Sequence, residues 1–259
     1  MNDEMLYEEL EVPPAARGLA ICYWRFRLGD DVAGPVEHVI VPDGVTSLSV
    51  AVAATGASPL LCAGPTRIAH SVQVQAGVVY GGVRLAPAAG AAVLGVHGST
   101  LRGHIGPWVG GDNRLGGLRE ALVELARTGV TQAADMLLTQ WAKTLSTDEA
   151  VGRAADLLID SGGRARIADA ADASGLSERQ LRRRFFDVAG LTPKEFAGVR
   201  RLREACIRAV AEHETWASAA AGADYADQAH LSREVRSAFD QTPRRIAKHL
   251  RRIDHRFLG

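Results

Sequence analysis

The sequence predicts an α+β protein, with a β-rich N-terminal domain and an all-α C-terminal domain. Alternating and β-branched apolar runs occupy much of residues 1–86, as expected for half-buried strands. Apolar residues recur at three- and four-residue intervals from residue 114 onward, as in amphipathic helices. Residues 167–193 and 217–243 then share one helical pattern, which predicts two tandem helix-turn-helix units.

Charge follows the same division of the chain. The formal net charge of the 259 residues is zero, which by itself argues against a nucleic-acid partner. However, residues 1–149 contain 10 basic and 15 acidic residues, whereas residues 150–259 contain 20 and 15. The basic half is the half with the repeated unit, as expected where one part of a protein meets phosphate.

We therefore expect three parts along the chain. They are a β-rich regulatory or effector domain over residues 1–112, connecting or dimerisation helices over 113–146, and a DNA-binding domain over 148–256.

Within the first part we expect strands over residues 19–27, 66–75 and 78–86, and a hairpin over residues 36–52. Pro42-Asp43-Gly44 predicts the hairpin turn, because Pro presets φ and both Asp and Gly tolerate left-handed backbone. The strand aromatics could fill a small core, which we favour, or line a ligand pocket. They are Tyr23, Trp24, Phe26 and Tyr80.

After residue 86 the pattern becomes helical. A short helix, a glycine-rich loop and three amphipathic helices are expected over residues 87–96, 98–112, 114–128, 130–145 and 148–160. The two helices between residues 114 and 145 could pack on the β-rich domain or form a dimer face. The sequence does not choose between these arrangements.

The two helical units align residue by residue. Leu181 corresponds to Leu231, Phe185 to Val235 and Thr192-Pro193 to Thr242-Pro243, each 50 positions later. The second helix of each unit is expected to be the recognition helix, which enters the major groove of DNA.

In the first unit, Ser177 is the predicted N-cap and Gln180 completes a capping box. Leu181 and Phe185 lie four residues apart and should face inward. Arginine neutralises phosphates and pairs with guanine. The base-contacting residues predicted on the opposite faces are Arg179, Arg182 and Arg183.

In the second unit, Asp227 is the predicted N-cap, and Leu231 and Val235 should face inward. Gln suits adenine and Arg suits guanine, whereas Ala and Ser can approach a thymine methyl or a base edge. The predicted contacts are Gln228, Ala229, Ser232 and Arg233. It remains open whether both units contact bases or one contacts only the DNA backbone.

Residues 192–213 predict one long connecting helix, with Pro193 at the favoured first position. An apolar stripe that includes Phe196, Leu202 and Cys206 runs along it. A helix of this length spans about 30 Å, close to the ~34 Å turn of DNA. The two recognition helices could therefore enter successive major grooves.

With these residues in place, residues 148–250 resemble the DNA-binding half of the AraC/XylS family of bacterial transcription regulators. The strongest stretch is DYADQAHLSREVRSAFDQTP, residues 224–243. The resemblance implies base-contacting sites at the seven positions named above. The chain departs from the family pattern at Asp224-Tyr225, where Gly-Phe is usual, at Leu231, where an aromatic residue is usual, and at Asp240, where glycine is usual. Because Asp tolerates left-handed backbone, we expect both turns to persist with less local positive charge.

The N-terminal half resembles a less characterised domain that precedes such DNA-binding halves. The resemblance rests on CYWRFR (22–27), VPDGVTSLSV (41–50), CAGPTR (62–67) and GVRLAPAAGAAVLGV (82–96). It implies a domain that senses a small molecule or mediates association. We thus expect an effector-controlled, sequence-specific transcription regulator that binds double-stranded promoter or operator DNA, with activator and repressor both left open. A small-molecule effector, a homodimer and RNA polymerase are further partner hypotheses.

Other functions have weaker support. A sequence-indifferent nucleoid protein and an enzyme in the N-terminal half remain alternatives, the latter suggested only by His38, His70, His97 and His104. These histidines lack metal-binding spacing, and no nucleophile motif occurs. We therefore expect no enzymatic activity, no metal and no cofactor.

Cysteine usage and hydropathy indicate the compartment. Cys22, Cys62 and Cys206 lack zinc-ligand spacing, and an odd number without a disulfide framework suits a reducing environment. Cys62 remains a candidate redox sensor. No signal peptide or apolar run of membrane-spanning length occurs. A cytoplasmic, nucleoid-associated location without membrane contact is expected.

Overall fold

A computed structural model describes residues 5–29, 32–110 and 113–256 of the chain. Its strands are β1 (Met5–Leu10), β2 (Ala20–Leu28), β3 (Val36–Ile40), β4 (Ser47–Ala53), β5 (Gly56–Ala57), β6 (Leu61–Ala63), β7 (His70–Val74), β8 (Val79–Leu85), β9 (Ile105–Pro107) and β10 (Ile253–Arg256). The main sheet has the order β10-β1-β2-β8-β4-β6-β9, with β5 beside β4, and β3 pairs with β7 separately.

Eleven α-helices occur in the described residues. They are α1 (Gly90–Leu94), α2 (Gly98–Leu101), α3 (Asn113–Thr128), α4 (Gln132–Thr144), α5 (Glu149–Asp160), α6 (Ile167–Ser174), α7 (Glu178–Ala189), α8 (Pro193–Val210), α9 (Trp216–Gly222), α10 (Gln228–Phe239) and α11 (Pro243–Leu250). None of these helices has the length and apolarity needed to cross a membrane. The α+β class, with a β-rich N-terminal part and a helical C-terminal part, is confirmed.

The hairpin predicted over residues 36–52 is wrong. The turn itself is present, with Gly44 at φ 80° and the Asp43 side chain accepting from the Val45 amide at 3.1 Å. However, β3 pairs antiparallel with β7, whereas β4 pairs with β8 and β6. The turn therefore carries the chain from the small sheet into the main one, because β8 offers β4 a longer partner than β3 does.

The loop predicted over residues 98–112 is wrong in part. His97 caps a four-residue helix, α2, by accepting from the Ser99 amide at 3.3 Å. Cys62 and Gly106 then pair within the β6–β9 ladder. The high glycine content of this segment predicted a loop, but hydrogen bonds to β6 stabilise the short strand β9 within it. The domain boundary predicted at residue 112 lies outside the described residues.

Helices α3 and α4 pack on the main sheet. Leu118, Leu122 and Trp141 are buried in one core with Tyr23. Gly81 of β8 lies so close to α3 that an added Cβ would come within 2.8 Å of the Ala126 Cβ. Of the two arrangements considered for these helices, packing on the β-rich domain is confirmed, and a dimer face remains a prediction.

The end of the chain departs from the all-α prediction. Strand β10 pairs parallel with β1, starting with Met5 opposite Ile253. The Met5 amide also donates to the Arg252 carbonyl at 3.2 Å. Residues predicted to end the helical domain thus extend the N-terminal sheet, because β1 has a free edge with which they can pair. No sequence pattern near residue 253 indicates this distant partner.

Candidate nucleic-acid interface

The first unit consists of α6 and α7, joined by a turn at Gly175. Gly175 has φ 70°, which lets the chain reverse at the end of α6. The Ser177 hydroxyl accepts from the Gln180 amide at 3.3 Å, and Gln180 Oε1 accepts from the Ser177 amide at 3.0 Å. The predicted capping box is confirmed, and it fixes where the recognition helix begins.

The inner face of α7 is fully buried. Leu181 and Phe185 pack in one core with Phe196 of α8, and the Phe185 and Phe196 ring centroids lie 5.4 Å apart. On the flank, Arg184 donates to both carboxylate oxygens of Asp148, at 2.8 and 2.9 Å. Asp148 also caps α5. This pair orients α7 on α5 and occupies the one arginine of the RRR run that was not predicted to contact bases.

The predicted DNA contacts of the first unit lie on the opposite face. Arg179, Arg182 and Arg183 are all exposed in the first two turns of α7. They form a cationic surface around the N-terminal end of the helix, where the helix dipole also favours phosphate.

The second unit repeats the arrangement with different turn residues. Asp224 takes φ 59° where the first unit has glycine, and Asp227 caps α10 by accepting from the His230 amide at 2.6 Å. Leu231 is fully buried, as expected. The His230 ring meets Tyr225 edge-on with centroids 5.2 Å apart, so His230 packs locally against the turn of its own unit.

The predicted DNA contacts of the second unit are accessible to different degrees. Gln228, Ala229 and Arg233 are exposed, whereas Ser232 is half-buried. The Ser232 hydroxyl donates to the Gln228 carbonyl at 2.8 Å. Its proton is used within the helix, so this hydroxyl can present only an acceptor to DNA.

Helix α8 connects the two units over 18 residues, which corresponds to about 27 Å. Its start is a capping box, in which the Thr192 hydroxyl accepts from the Glu195 amide. Arg102 donates two hydrogen bonds to the Glu195 carboxylate, at 2.8 and 3.1 Å. These hydrogen bonds from Arg102, together with those from Thr192, hold the pKa of Glu195 at about 2 despite its partial burial.

A cavity of about 440 Å³ lies between the β-rich part and helices α8 and α11. Its walls are mostly apolar, and they include the predicted aromatics Trp24, Phe26 and Tyr80. Tyr23 is instead fully buried in the core beneath α3 and α4. Core packing is thus confirmed for Tyr23, and also for Phe26, which belongs to a second core, whereas a ligand in the cavity stays a prediction.

One end of the cavity carries a buried ionic cluster around Arg84. Arg84 Nε lies 2.6 Å from Asp43 Oδ2, and its Nη1 lies 2.7 Å from Glu9 Oε1. Arg203 of α8 approaches Glu9 at 3.7 Å. Burial raises the pKa of Glu9, but Arg84 and Arg203 outweigh burial and hold it below its usual range. Burial, with Arg203 close by, lowers the pKa of Arg200 to about 10.

Sequence reasoning missed this cluster. The prediction that Asp43 is a turn residue is correct, but its second oxygen also binds Arg84. The available signal was Arg84, a lone cation in an otherwise apolar strand. Such a residue needs a buried partner.

The other chemistries considered find no support in the described residues. Burial raises the pKa of the Cys62 thiol to about 12, so the low-pKa environment of a redox sensor is lacking. No group of His, Cys, Asp or Glu side chains in the part of the chain that the structure describes could hold a metal ion.

With this geometry established, residues 170–249 match the protein family described as "Helix-turn-helix domain". These residues are a helix-turn-helix domain of the AraC type. The chain is therefore a DNA-binding transcription regulator. No curated protein sequence matches it significantly.

Some solved structures resemble the fold. ToxT from Vibrio cholerae O395 is 10% identical, with 95% of this chain and 98% of that chain covered and a TM-score of 0.46. The xylose-binding transcription activator xylR is 18% identical, with a TM-score of 0.36; the match covers 48% of this chain and spans only 39% of that protein. TM-scores this low support no conclusion about ligand or mechanism.

Proposed function

We propose that this regulator binds a specific DNA site with both of its helix-turn-helix units. The observation that carries the proposal is the pair of capped helices α7 and α10, on which every predicted contact residue is exposed except Ser232, which is half-buried. Arginine side chains and helix N-termini hold phosphates and set the register, whereas base edges determine the sequence preference. The base-reading residues are Arg179, Arg182, Arg183, Gln228, Ala229, Ser232 and Arg233.

We further propose that a small molecule controls DNA binding from the cavity. Pockets of this size with apolar walls and few polar groups typically hold small ligands. Of the charged residues in the ionic cluster, Arg84, Arg203 and Asp43 line the cavity itself. This surplus of one positive charge favours an apolar effector with an anionic group. Helix α8 forms part of the wall, so an effector would contact the DNA-binding part directly.

Selection of binding sequences from random duplex DNA, by the full chain, tests the first proposal. We expect one enriched motif, and Arg182→Ala should weaken its binding while Lys143→Ala, an exposed cation on α4, should not. Enrichment of no sequence would support the alternative of a nucleoid protein. Contacts with RNA polymerase and homodimer formation are further proposals, to be tested by activation in a reconstituted transcription system and by sedimentation.

Thermal unfolding tests the effector proposal. A long-chain alkyl carboxylate should raise the melting temperature of the chain, because a ligand that binds only the folded state stabilises it. The alcohol of the same length should raise it less. Equal effects of the two compounds would argue against recognition of an anionic group by the cluster.

A further inference from the structure

The two helix-turn-helix units share little packing with each other except through α8. Residues of the first unit form a core with Val45 and Ala88 of the N-terminal part. Residues of the second unit form a separate core with Phe26, Val39 and Val74. Each unit is thus packed on the β-rich part, so the N-terminal half of the molecule contacts both units.

One short loop contacts both recognition helices where they end. It runs from Gly64 to Ala69, between β6 and β7. Near its start, Pro65 lies against Gly190, the residue that ends α7; a Cβ at Gly190 would be 3.0 Å from Pro65 Cγ. At its other end, the Ala69 amide donates to the Ala238 carbonyl, near the end of α10, at 2.8 Å.

A second contact holds the first unit from the same side. Besides its two hydrogen bonds to Glu195, Arg102 donates to the Gly190 carbonyl at 3.3 Å. Arg102 also belongs to the segment that is tied to the loop, since the neighbouring Gly103 amide donates to the Pro65 carbonyl at 3.0 Å. The loop and Arg102 therefore behave as one bracket, which we define as residues 64–69 and Arg102.

We propose that this bracket sets the distance and rotation between the two recognition helices, and thereby the spacing of the two half-sites that the protein accepts. Arg102 and Ala69 are positioning residues in this proposal, since neither lies on a recognition helix. The proposal rests on the proposed function, because it presupposes that both units read DNA. It assigns to the N-terminal domain a part in DNA specificity, in addition to effector sensing.

Geometry makes half-site spacing a sensitive readout. One inserted base pair shifts the second half-site by about 3.4 Å and rotates it by about 34°. A rigid pair of helices cannot follow both changes, whereas a pair joined only by α8 can bend or twist to restore part of the interface. When one half-site no longer hydrogen-bonds through its base edges, affinity typically falls by about tenfold or more.

The experiment uses the full chain and the DNA motif that it selects, with zero, one or two base pairs inserted or removed between the half-sites. Wild-type protein should bind one spacing about tenfold more tightly than its neighbours. Arg102→Met, which removes three hydrogen bonds, and Ala69→Pro, which removes one donor, should reduce that preference to about threefold or less.

Controls separate positioning from stability. Arg102→Lys retains the charge and should retain most of the preference, and Lys143→Ala should retain all of it. A uniform loss of affinity at every spacing would mean that the bracket only stabilises the fold, and would overturn the proposal. An unchanged spacing profile in folded Arg102→Met would likewise overturn the proposal, because Arg102 would then have no part in setting the distance.

The two proposals can fail separately. Should Ala69→Pro not fold, Arg102→Met decides the question by itself, because its side chain is partly exposed. If wild-type protein selects no bipartite motif at all, the proposed function fails and this inference fails with it. A selected motif with no spacing preference overturns only the inference.

Discussion

The two helix-turn-helix units share one backbone plan but solve it with different side chains. The first has glycine at both left-handed positions, Gly175 and Gly190, where the second has Asp224 and Asp240. The recognition surfaces differ as well, with three arginines on α7 and mostly uncharged side chains on α10. The comparison shows that the plan tolerates changes in chemistry, and it predicts that the units contribute unequally to DNA binding and to stability.

The largest expected effect is the loss of stability from a substitution at Gly190, the residue that ends α7 in the first unit. Gly190 has φ 71°, and an added Cβ would lie 2.6 Å from the Gly98 carbonyl oxygen. Gly190→Ala combines left-handed strain with a clash against backbone, so we expect the free energy of unfolding to fall by about 3 kcal/mol. Urea denaturation measures it. A loss below about 1 kcal/mol would show that α2 shifts easily away from α7.

The next effect tests whether the first unit dominates electrostatic binding. Arg182→Ala should weaken the specific complex by about 1–3 kcal/mol and reduce the slope of log affinity against log salt by about 1. Ser232→Ala, at the matching position 50 residues later, should cost less than about 1 kcal/mol, because its hydroxyl proton is used within α10. Equal losses in titrations at 50–200 mM salt would contradict the inequality between the units.

A smaller effect concerns the aspartates that replace glycine. Asp240 has φ 51° and is exposed. Relief of left-handed strain should let Asp240→Gly raise the free energy of unfolding by about 0.5 kcal/mol, whereas Asp240→Ala should lower it by about as much. Chemical denaturation of both variants checks the sign. Destabilisation by glycine would mean that the aspartate carboxylate stabilises the turn.

The smallest expected effect is a pH dependence at His249, whose counterpart 50 positions earlier cannot titrate. His249 of α11 accepts a hydrogen bond from the Val39 amide at 3.0 Å, which requires a neutral ring. Burial, and then Arg252, lowers the pKa of His249, with Glu37 opposing. The residue 50 positions earlier is Val199 of α8, whose side chain cannot titrate.

The sign follows from proton linkage. The unfolded chain binds a proton at His249 near pH 6.5 and the folded chain binds it only at lower pH, so the free energy of unfolding should fall as the pH drops below about 6.5. His249→Gln, which can still accept from Val39, should reduce this slope in urea denaturation between pH 7.5 and 5.5. His213→Asn, at an exposed histidine, serves as the control. A slope that is the same in wild type and His249→Gln would assign the pH dependence to other groups.

Local features were predictable wherever neighbouring residues decide the outcome. Capping by Ser177, by Asp227 and at the start of α8 depends on side chains within three residues of the helix end. The burial of Leu181 and Leu231 follows from helical spacing alone. Most predicted helices and strands, and the tandem units, were therefore confirmed.

Long-range pairings were not predictable from these patterns. Strand β3 pairs with β7 and not with β4, its neighbour in sequence, and β10 pairs with β1 at the edge of the main sheet. Arg84 found both of its carboxylates more than 40 residues away. In each case the local sequence does not distinguish the observed partner from other possible partners. The observed pairing is the one that gives the whole folded core the lowest free energy.

The amino-acid sequence by itself determined that this protein carries two capped, arginine-bearing reading units behind a β-rich domain, because periodicity, caps and the 50-residue repeat are local properties. Only the tertiary structure decided that each unit packs on the N-terminal domain and that residues 64–69 contact both recognition helices. It also decided that a cavity with an ionic cluster at one end lies between the β-rich part and helices α8 and α11. These arrangements depend on which apolar surfaces, distant in sequence, pack against each other and are removed from water, and only the complete folded chain determines that.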